Sequence, residues 1–191
     1  MLRTNQSFLA YTAQLYEEQQ RKEDIVIKSF PKGSKLLEQG DIPTRVMLIK
    51  EGITKCFVKE ENDKDYILEF LGKGEIIGEI ELLRNIPCLC SVEAVTDVSV
   101  FAFSIPYFRA LLAKDLGLNN HLLDVFSERI VNTSTRASYQ QLYTTEHSLL
   151  RLLELQSQLE TPITKEDMAA YLGVSIRSLN RTLKQLEDHK K

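Results

Sequence analysis

The sequence predicts an α+β protein, in which an antiparallel β-roll or sandwich lies between an N-terminal helix and a run of C-terminal helices. Residues 24–104 contain eight short apolar, often β-branched stretches separated by glycine and proline, a pattern typical of strands. On either side of this segment, the apolar side chains recur at helical spacing. The last such segment, 164–186, has the pattern of two short helices joined by a tight turn.

The N-terminal half is predicted from these local patterns. Residues 1–22 are expected to be helical, because Phe8, Leu9, Leu15 and Tyr16 form a partial apolar stripe ahead of the polar end EEQQRK. Eight strands follow, spaced as in an antiparallel sandwich or roll of about 80 residues, with a hairpin turn at ENDKD. The strands are expected in IVIKSF, KLLEQG, VMLIKEG, ITKCFVKE, YILEFL, EIIGEIELL, CSVEAV and VSVFAF.

Helices are predicted after Pro106. A short helix holds residues 107–112, and a longer one runs from about Leu118 to Leu142. Apolar residues recur along the longer helix every seven residues, which favours pairing with the helix of a second copy. Packing of the same helix onto its own β domain is the alternative. Another helix is expected from His147 to Leu159, ended by Thr161-Pro162. The predicted dimer interface consists of Leu116, Leu123, Phe126, Ile130, Thr133 and Ala137.

The segment from Thr164 to Leu186 carries the strongest functional signal. Thr164 and Ser175 are placed to cap the two helices, and Gly173 lies at the turn between them. The pattern is that of a helix-turn-helix, whose second helix enters the major groove of DNA. A plain helical hairpin with a solvated basic face is the alternative. The apolar inner face consists of Met168, Ala169, Leu172, Val174, Leu179, Leu183 and Leu186.

The second helix turns a polar, partly basic face outward. Its two arginines and Ser178 are predicted to contact base edges, because arginine bonded to guanine is the commonest specific contact. Ser175 and Lys184 are predicted to bind phosphate, and Asn180 either reads adenine or faces solvent. The outward residues are Ser175, Arg177, Ser178, Asn180, Arg181 and Lys184.

Composition and charge limit the function classes. The chain is 43% hydrophobic and 27% charged, which is typical of a soluble globular protein, and no apolar run approaches the ~18 residues that span a membrane. The first residues lack the apolar core of a signal peptide, so a cytoplasmic location without a membrane partner is expected.

The net charge is −3, but residues 161–191 carry six basic and four acidic side chains. Affinity for DNA is therefore expected to depend on dimerisation and half-site spacing.

The three cysteines are Cys56, Cys88 and Cys90. Their odd number and the expected location argue against a disulfide framework. In an extended strand, Cys88 and Cys90 would point to the same face. They are then a thiol pair, half of a soft metal site, or two small core residues. The three histidines are scattered along the chain, so no metal site is predicted.

This order of parts resembles the Crp/Fnr family of bacterial transcription regulators. The resemblance covers nearly the whole chain, and its most specific segments are Gly74–Glu79 with Leu82-Leu83, Ile86–Asp97 and Ala169–Leu186. It implies a jelly roll like that of cyclic nucleotide-binding domains, followed by a winged helix. It also implies a homodimer that binds a palindromic operator in double-stranded DNA and recruits or blocks RNA polymerase. The implied parts are an effector or sensor domain over 1–114, a dimerisation helix over 115–144 and a DNA-binding domain over 145–191.

The same resemblance places effector-pocket candidates at Gly78, Glu79, Cys88, Leu89 and Cys90. In members that bind cyclic AMP, a Gly-Glu pair holds the ribose and a P-R-[ST]-A motif holds the cyclic phosphate. Gly78 and Glu79 match the first part, but Cys88 stands at the arginine position and Leu89 at the hydroxyl position. A buried phosphate without a cation is strongly disfavoured, so cyclic AMP is not the expected effector and no cofactor is predicted. Gly78 and Glu79 then have a structural role, with Gly78 allowing a tight turn.

Other effectors stay open. Arg84 is a nearby cation in the sequence, but it belongs to another element. An iron–sulfur cluster needs about four thiolates, which argues against one within a single chain. A cluster or metal shared across a dimer, oxidation of Cys88 and Cys90, and a small ligand of different chemistry are the alternatives.

Family members normally continue into a two-stranded wing, whereas this sequence stops at Lys191, whether naturally or by truncation. The lack of a wing is expected to weaken DNA binding and to loosen this subdomain. It also supports a rival interpretation, a ligand-binding or protein-interaction module whose DNA-binding end has decayed. An enzyme is not predicted, because no nucleophile–base–acid set is recognisable in the sequence.

Overall fold

The computed structural model describes residues 2–61, 64–157 and 163–188, and it confirms the α+β fold class. The strands are β1 (Leu2–Arg3), β2 (Ile25–Phe30), β3 (Lys35–Leu37), β4 (Arg45–Glu51), β5 (Thr54–Lys59), β6 (Asp65–Leu71), β7 (Ile76–Ile77), β8 (Ser91–Ala94) and β9 (Val98–Ser104). The helices are α1 (Gln6–Glu18), α2 (Glu79–Arg84), α3 (Ile105–Lys114), α4 (Leu116–Leu142), α5 (Thr145–Ser157), α6 (Lys165–Leu172) and α7 (Ile176–Asp188).

The strands form two sheets that enclose an apolar core. One sheet has the order β1-β6-β5-β8-β3 and the other β2-β9-β4-β7. All pairs are antiparallel except β1 with β6, so the predicted antiparallel roll is confirmed. The tip of the predicted β5–β6 hairpin, Asn62-Asp63, lies outside the described residues, as does the predicted break at Thr161-Pro162.

The N-terminal segment differs from the uniform helix predicted over residues 1–22. The helix begins only at Gln6, because the Asn5 side chain accepts a hydrogen bond from the Phe8 amide (2.9 Å) and caps it. Leu2 and Arg3 instead add a short parallel strand to β6. Of the polar end EEQQRK, Glu17 and Glu18 are helical as predicted, and residues 19–22 lie beyond the last residue of α1.

The segment EIIGEIELL was predicted to be a strand, but only its first part is one. β7 ends at Ile77, and Gly78 adopts φ +83°, a left-handed conformation that favours glycine and turns the chain into α2. Glu79 and Glu81 then lie in the first turn of α2, where the helix dipole favours carboxylates.

The long helix α4 packs one face onto its own β domain. Leu118, Leu122 and Val125 are buried there in a cluster with Phe8 and Phe103. The predicted dimer seam lies on another face: Leu116, Leu123 and Ile130 are exposed by 76%, 64% and 67%. Phe126 is half-buried and packs against the cluster within its own chain. Packing onto the β domain thus uses only part of the helix surface.

The C-terminal helices α5, α6 and α7 share a core with the β domain. Leu149, Leu152, Met168 and Leu179 are buried in one cluster with Phe70 of β6. Sequence reasoning did not find this contact, because it depends on where α4 directs the chain.

Candidate functional site

The helix pair α6–α7 has the geometry that its sequence predicts. Thr164 caps α6 by accepting a hydrogen bond from the Asp167 amide (3.0 Å), and Ser175 accepts one from the Ser178 amide (3.2 Å) at the start of α7. Gly173 ends α6 with φ +69°, the left-handed conformation typical of a helix C-terminus. The predicted inner face is buried or half-buried throughout.

The outer face of α7 carries the predicted DNA-binding residues. Ser175, Arg177, Asn180, Arg181 and Lys184 are exposed, and Ser178 is half-buried. Arg177, Arg181 and Lys184 are spaced four and three residues apart, so they lie along one side of the helix. The Asn180 amide oxygen accepts a hydrogen bond from Lys165 of α6 (3.3 Å). The three cationic side chains therefore form one exposed surface on α7.

A second candidate site is a cavity of about 920 Å³ between the β-roll, α4 and the C-terminal helices. Four of the five effector-pocket candidates line this cavity: Gly78, Glu79, Leu89 and Cys90. Leu89 lines the cavity with its side chain 54% exposed. Arg84 is exposed at the end of α2 and does not contribute to the lining. Sequence reasoning missed the lining residues Cys56, Glu69, Arg129, Arg136 and Tyr171.

Cys88 is the candidate that the structure places elsewhere. It is 3% exposed and belongs to the core between the sheets. Residues 86–90 form a loop, so the same-face argument for Cys88 and Cys90 in a strand is wrong. Two backbone bonds hold this loop, from Gly40 N to the Cys88 carbonyl (2.9 Å) and from Cys88 N to the Asp41 carbonyl (2.8 Å). The Cys90 sulfur lies against Cys56 instead.

Beside the cavity lies a cluster of buried and half-buried charged side chains, which we call the ion cluster: Arg3, Glu69, Glu75, Glu79 and Arg129. Arg129 of α4 donates to the Glu79 carboxylate and to the Ile76 carbonyl (2.6 Å). Arg3 lies 3.1 Å from both the Glu69 and the Glu75 carboxylates. Glu79 is therefore already paired with a cation of its own chain.

Burial and ion pairing shift the pKa values of these side chains in opposite directions. Burial raises the pKa of Glu75 to about 7, although the nearby Arg3 and Arg129 lower it. Burial also raises the pKa of Glu79 above its ordinary value, against the effect of Arg129. Burial lowers the pKa of Arg129. The carboxylates of Glu79, Glu69 and Glu75 raise it by more, so the net shift of the Arg129 pKa is upward.

Polar contacts join the helix pair to the wall of the cavity. Lys55 of β5 forms an ion pair with Asp167 of α6 (2.8 Å). Arg136 of α4 donates to the carbonyls of Leu68 and Tyr171, and its guanidinium lies 4.0 Å from the Tyr171 ring centroid. The helix pair α6–α7 is thus held against β5, β6 and α4.

Comparison with known proteins agrees with this architecture. The cyclic nucleotide-binding domain matches residues 27–115, and the Crp-like helix-turn-helix domain matches residues 146–190. The two matches together cover most of the chain. The chain belongs to the Crp/Fnr family of transcription regulators. It is a DNA-binding transcription regulator, as the sequence predicted.

The individual relatives have low sequence identity to this chain, but the matches cover most of both chains. The cAMP-activated global transcriptional regulator CRP of Pasteurella multocida is 25% identical over 85% of this chain and 83% of its own. CRP of Salmonella typhimurium is 27% identical over 85% and 82%. Among solved structures, the c-di-GMP responsive regulator CLP of Xanthomonas campestris has a TM-score of 0.79 at 18% identity, covering 95% of this chain and 93% of that one. FixK2 of Bradyrhizobium japonicum has a TM-score of 0.72 at 18% identity, covering 87% and 86%.

Membership in the Crp/Fnr family places the chain among transcription regulators rather than enzymes. Within the described ranges, no helix is long and apolar enough to cross a membrane. The same residues contain no group of three or more His, Cys, Asp or Glu side chains that could hold a metal ion.

The raised pKa of Glu75 predicts a pH dependence of stability. Because the folded state holds this proton up to about pH 7 while an ordinary glutamate loses it near 4.5, stability should fall as pH rises through this window. The loss should reach up to about 3 kcal/mol, and Glu75→Gln should remove that part of the slope. Urea unfolding at several pH values between 4.5 and 8 measures both slopes.

Glu17→Gln is the matched control, since Glu17 is exposed on α1 and lies outside the ion cluster. It should keep the wild-type slope. Equal slopes for wild type and Glu75→Gln would contradict the assignment.

Proposed function

We propose that this regulator acts as a homodimer on a palindromic DNA operator, which it binds through α7, and that cyclic AMP does not control it. The observation that carries the proposal is the outer face of α7, where exposed arginine and lysine side chains lie on one side of a well-capped helix. A paired α4 would present two such helices to half-sites about one helical turn apart.

The roles of the α7 residues follow from their exposure and partners. Arg177 and Arg181 carry planar guanidinium groups suited to guanine, and both side chains are exposed, with half-buried Ser178 beside Arg177. Ser175 and Lys184 suit phosphate contacts that fix the position of the helix. The bond from Lys165 to Asn180 supports a role for Asn180 in joining α6 to α7 rather than in reading adenine.

The exposed seam of α4 supports dimerisation. Three large aliphatic side chains, Leu116, Leu123 and Ile130, lie on one side of the helix in solvent. Burying them against a second copy would remove apolar area from water and match the heptad pattern. Thr133 and Ala137 continue the seam, and together with Ile130 they also line the cavity. A partner helix would therefore cover part of the cavity mouth.

The charges around the cavity support an effector other than cyclic AMP. Four arginines and four glutamates line it: Arg3, Arg129, Arg136, Arg151, Glu69, Glu79, Glu81 and Glu154. Two of these arginines, Arg3 and Arg129, are already bound to carboxylates, and the loop at residues 87–90 supplies no cation. A buried cyclic phosphate would lack a dedicated partner there. Recruitment or blocking of RNA polymerase is proposed on the basis of family membership.

Arg181→Ala should weaken specific DNA binding by about 1–3 kcal/mol, because it removes a bidentate base contact. An operator is first selected from random duplexes with the wild-type protein. Fluorescence anisotropy then compares this operator with a scrambled duplex at several salt concentrations. Lys184→Ala should weaken binding to both duplexes and lower the salt slope by about one.

Arg109→Ala, which removes an exposed arginine of α3 outside the helix pair, is the charge-matched control and should leave both affinities unchanged. Unchanged affinity and operator preference in Arg181→Ala would refute the base contact. Failure to select any sequence, with no salt dependence, would favour the rival interaction module.

The double variant Leu123→Glu/Ile130→Glu should be monomeric. It places two negative charges on each helix, so pairing would bury four like charges in the seam. Sedimentation equilibrium should then give 21.9 kDa instead of twice that mass. Ile42→Glu alters an aliphatic side chain that is 70% exposed in a β-domain loop, and it should stay dimeric. A dimeric double variant would show that another surface pairs the chains.

Saturating cyclic AMP should leave the melting temperature unchanged. A ligand at about 100 times its dissociation constant would stabilise the fold by about 2.7 kcal/mol, which a thermal scan detects easily. AMP serves as the control for non-specific nucleotide effects. A shift with cyclic AMP but not with AMP would contradict the proposed loss of the phosphate site.

A further inference from the structure

The sulfur atoms of Cys56 and Cys90 lie 2.7 Å apart in the wall of the cavity. We propose that these two residues form a reversible dithiol–disulfide site, oxidised by hydrogen peroxide that enters the cavity. This inference concerns a pair of thiols that the sequence does not place together, since 33 residues separate them in the chain. It does not depend on the proposed operator or on the identity of the effector.

The backbone holds the two thiols in place. Cys56 lies in the middle of β5, which pairs with β6 on one side and with β8 on the other. Within the β5–β8 ladder, Cys56 faces Val92, and Cys90 precedes the first residue of β8. A disulfide has a sulfur–sulfur distance of about 2.05 Å, so the bond needs a movement of less than an ångström. The ladder therefore holds the two sulfur atoms close to bonding distance.

The two thiols differ in access and therefore in role. Cys90 is half-buried and Cys56 is buried, and both line the cavity. The contact with Cys90, together with burial, raises the pKa of the Cys56 thiol well above its ordinary value. Cys90 is the more accessible thiol, so it is the residue that meets the oxidant, and Cys56, whose sulfur lies against that of Cys90, is the one that resolves the product.

The reaction balances with one peroxide. The Cys90 thiol releases its proton and its sulfur attacks one oxygen of hydrogen peroxide; a sulfur–oxygen bond forms, the oxygen–oxygen bond breaks, and the leaving hydroxide combines with the released proton as water. The Cys56 sulfur then attacks the Cys90 sulfur of this sulfenic acid. A sulfur–sulfur bond forms, the sulfur–oxygen bond breaks, and a second water leaves with the Cys56 proton. The two sulfurs lose two electrons in total, and a dithiol reductant returns them.

The third cysteine supplies an internal control. Cys88 is 3% exposed in the core between the sheets, and it does not line the cavity. Burial raises the pKa of its thiol to about 11, which keeps it protonated. Cys88 is therefore expected to stay reduced when the other two are oxidised.

The test uses the purified full chain, reduced and then treated with increasing hydrogen peroxide. Free thiols are alkylated in denaturant, and intact mass and a non-reducing digest are measured by mass spectrometry. We expect the loss of two hydrogens, a cross-linked peptide pair containing Cys56 and Cys90 from one chain, and alkylation at Cys88 alone. Dithiothreitol should restore three alkylated thiols.

Three variants assign the roles. Cys88→Ser should still form the cross-link, whereas Cys90→Ser should not. Cys56→Ser should accumulate a sulfenic acid at Cys90 that dimedone traps. If a serine variant fails to fold by circular dichroism, the corresponding alanine variant replaces it.

The proposal is overturned by a cross-link between Cys88 and Cys90, by a cross-link between chains, or by three alkylated thiols at every peroxide concentration. It is also overturned if dimedone labels Cys88 in place of Cys90 in the Cys56→Ser variant.

Discussion

The ion cluster around Arg129 is the constraint on which the arrangement of this protein depends. It brings together charged side chains from β1, β6, the β6–β7 connection, α2 and α4, which are between 0% and 24% exposed. Removing one partner from a buried ion pair costs about 3–5 kcal/mol, because the other charge is left unpaired. Replacing a whole cluster with apolar side chains is often neutral or stabilising. Its main consequence is therefore positional: the pairing of Arg129 with Glu79 fixes the rotation of α4 against the β domain.

The rotation of α4 determines what the rest of the chain can contact. With Arg129 directed into the cluster, Leu118, Leu122 and Val125 face the β domain, while Leu123 and Ile130 face solvent. The helix thereby serves as a wall of the cavity and still offers an apolar seam. Both interpretations of its heptad pattern are physically compatible, because they use different sides of one helix.

Direct contacts also connect the helix pair α6–α7 to the cavity wall. Lys55 and Cys56 are neighbours on β5, so the ion pair to Asp167 and the thiol pair with Cys90 belong to the same short strand. On β6, the Phe70 ring stacks on Tyr171 of α6 at 5.7 Å between centroids. Strands β5 and β6 therefore contact the helix pair α6–α7 directly.

The sequence by itself determined the local elements and the family. Capping residues and Gly173 define α6 and α7, and glycine and proline between β-branched runs define the strands, because these features act within a few residues. The outward face of α7 follows from helical periodicity alone. Sequence periodicity did not reveal that EIIGEIELL changes from strand to helix at Gly78, because both elements there are short and buried.

Only the tertiary structure decided how distant segments meet. Arg3 and Arg129 are far apart in the chain, and no local sequence pattern predicts that both lie beside the Glu75 carboxylate. The same holds for Cys56 and Cys90: spacing in the sequence suggested Cys88 and Cys90, whereas the β5–β8 ladder joins Cys90 to Cys56 and leaves Cys88 in the core. Local patterns report the conformation of neighbouring residues, but strand order and helix rotation depend on packing and charge pairing over the whole chain.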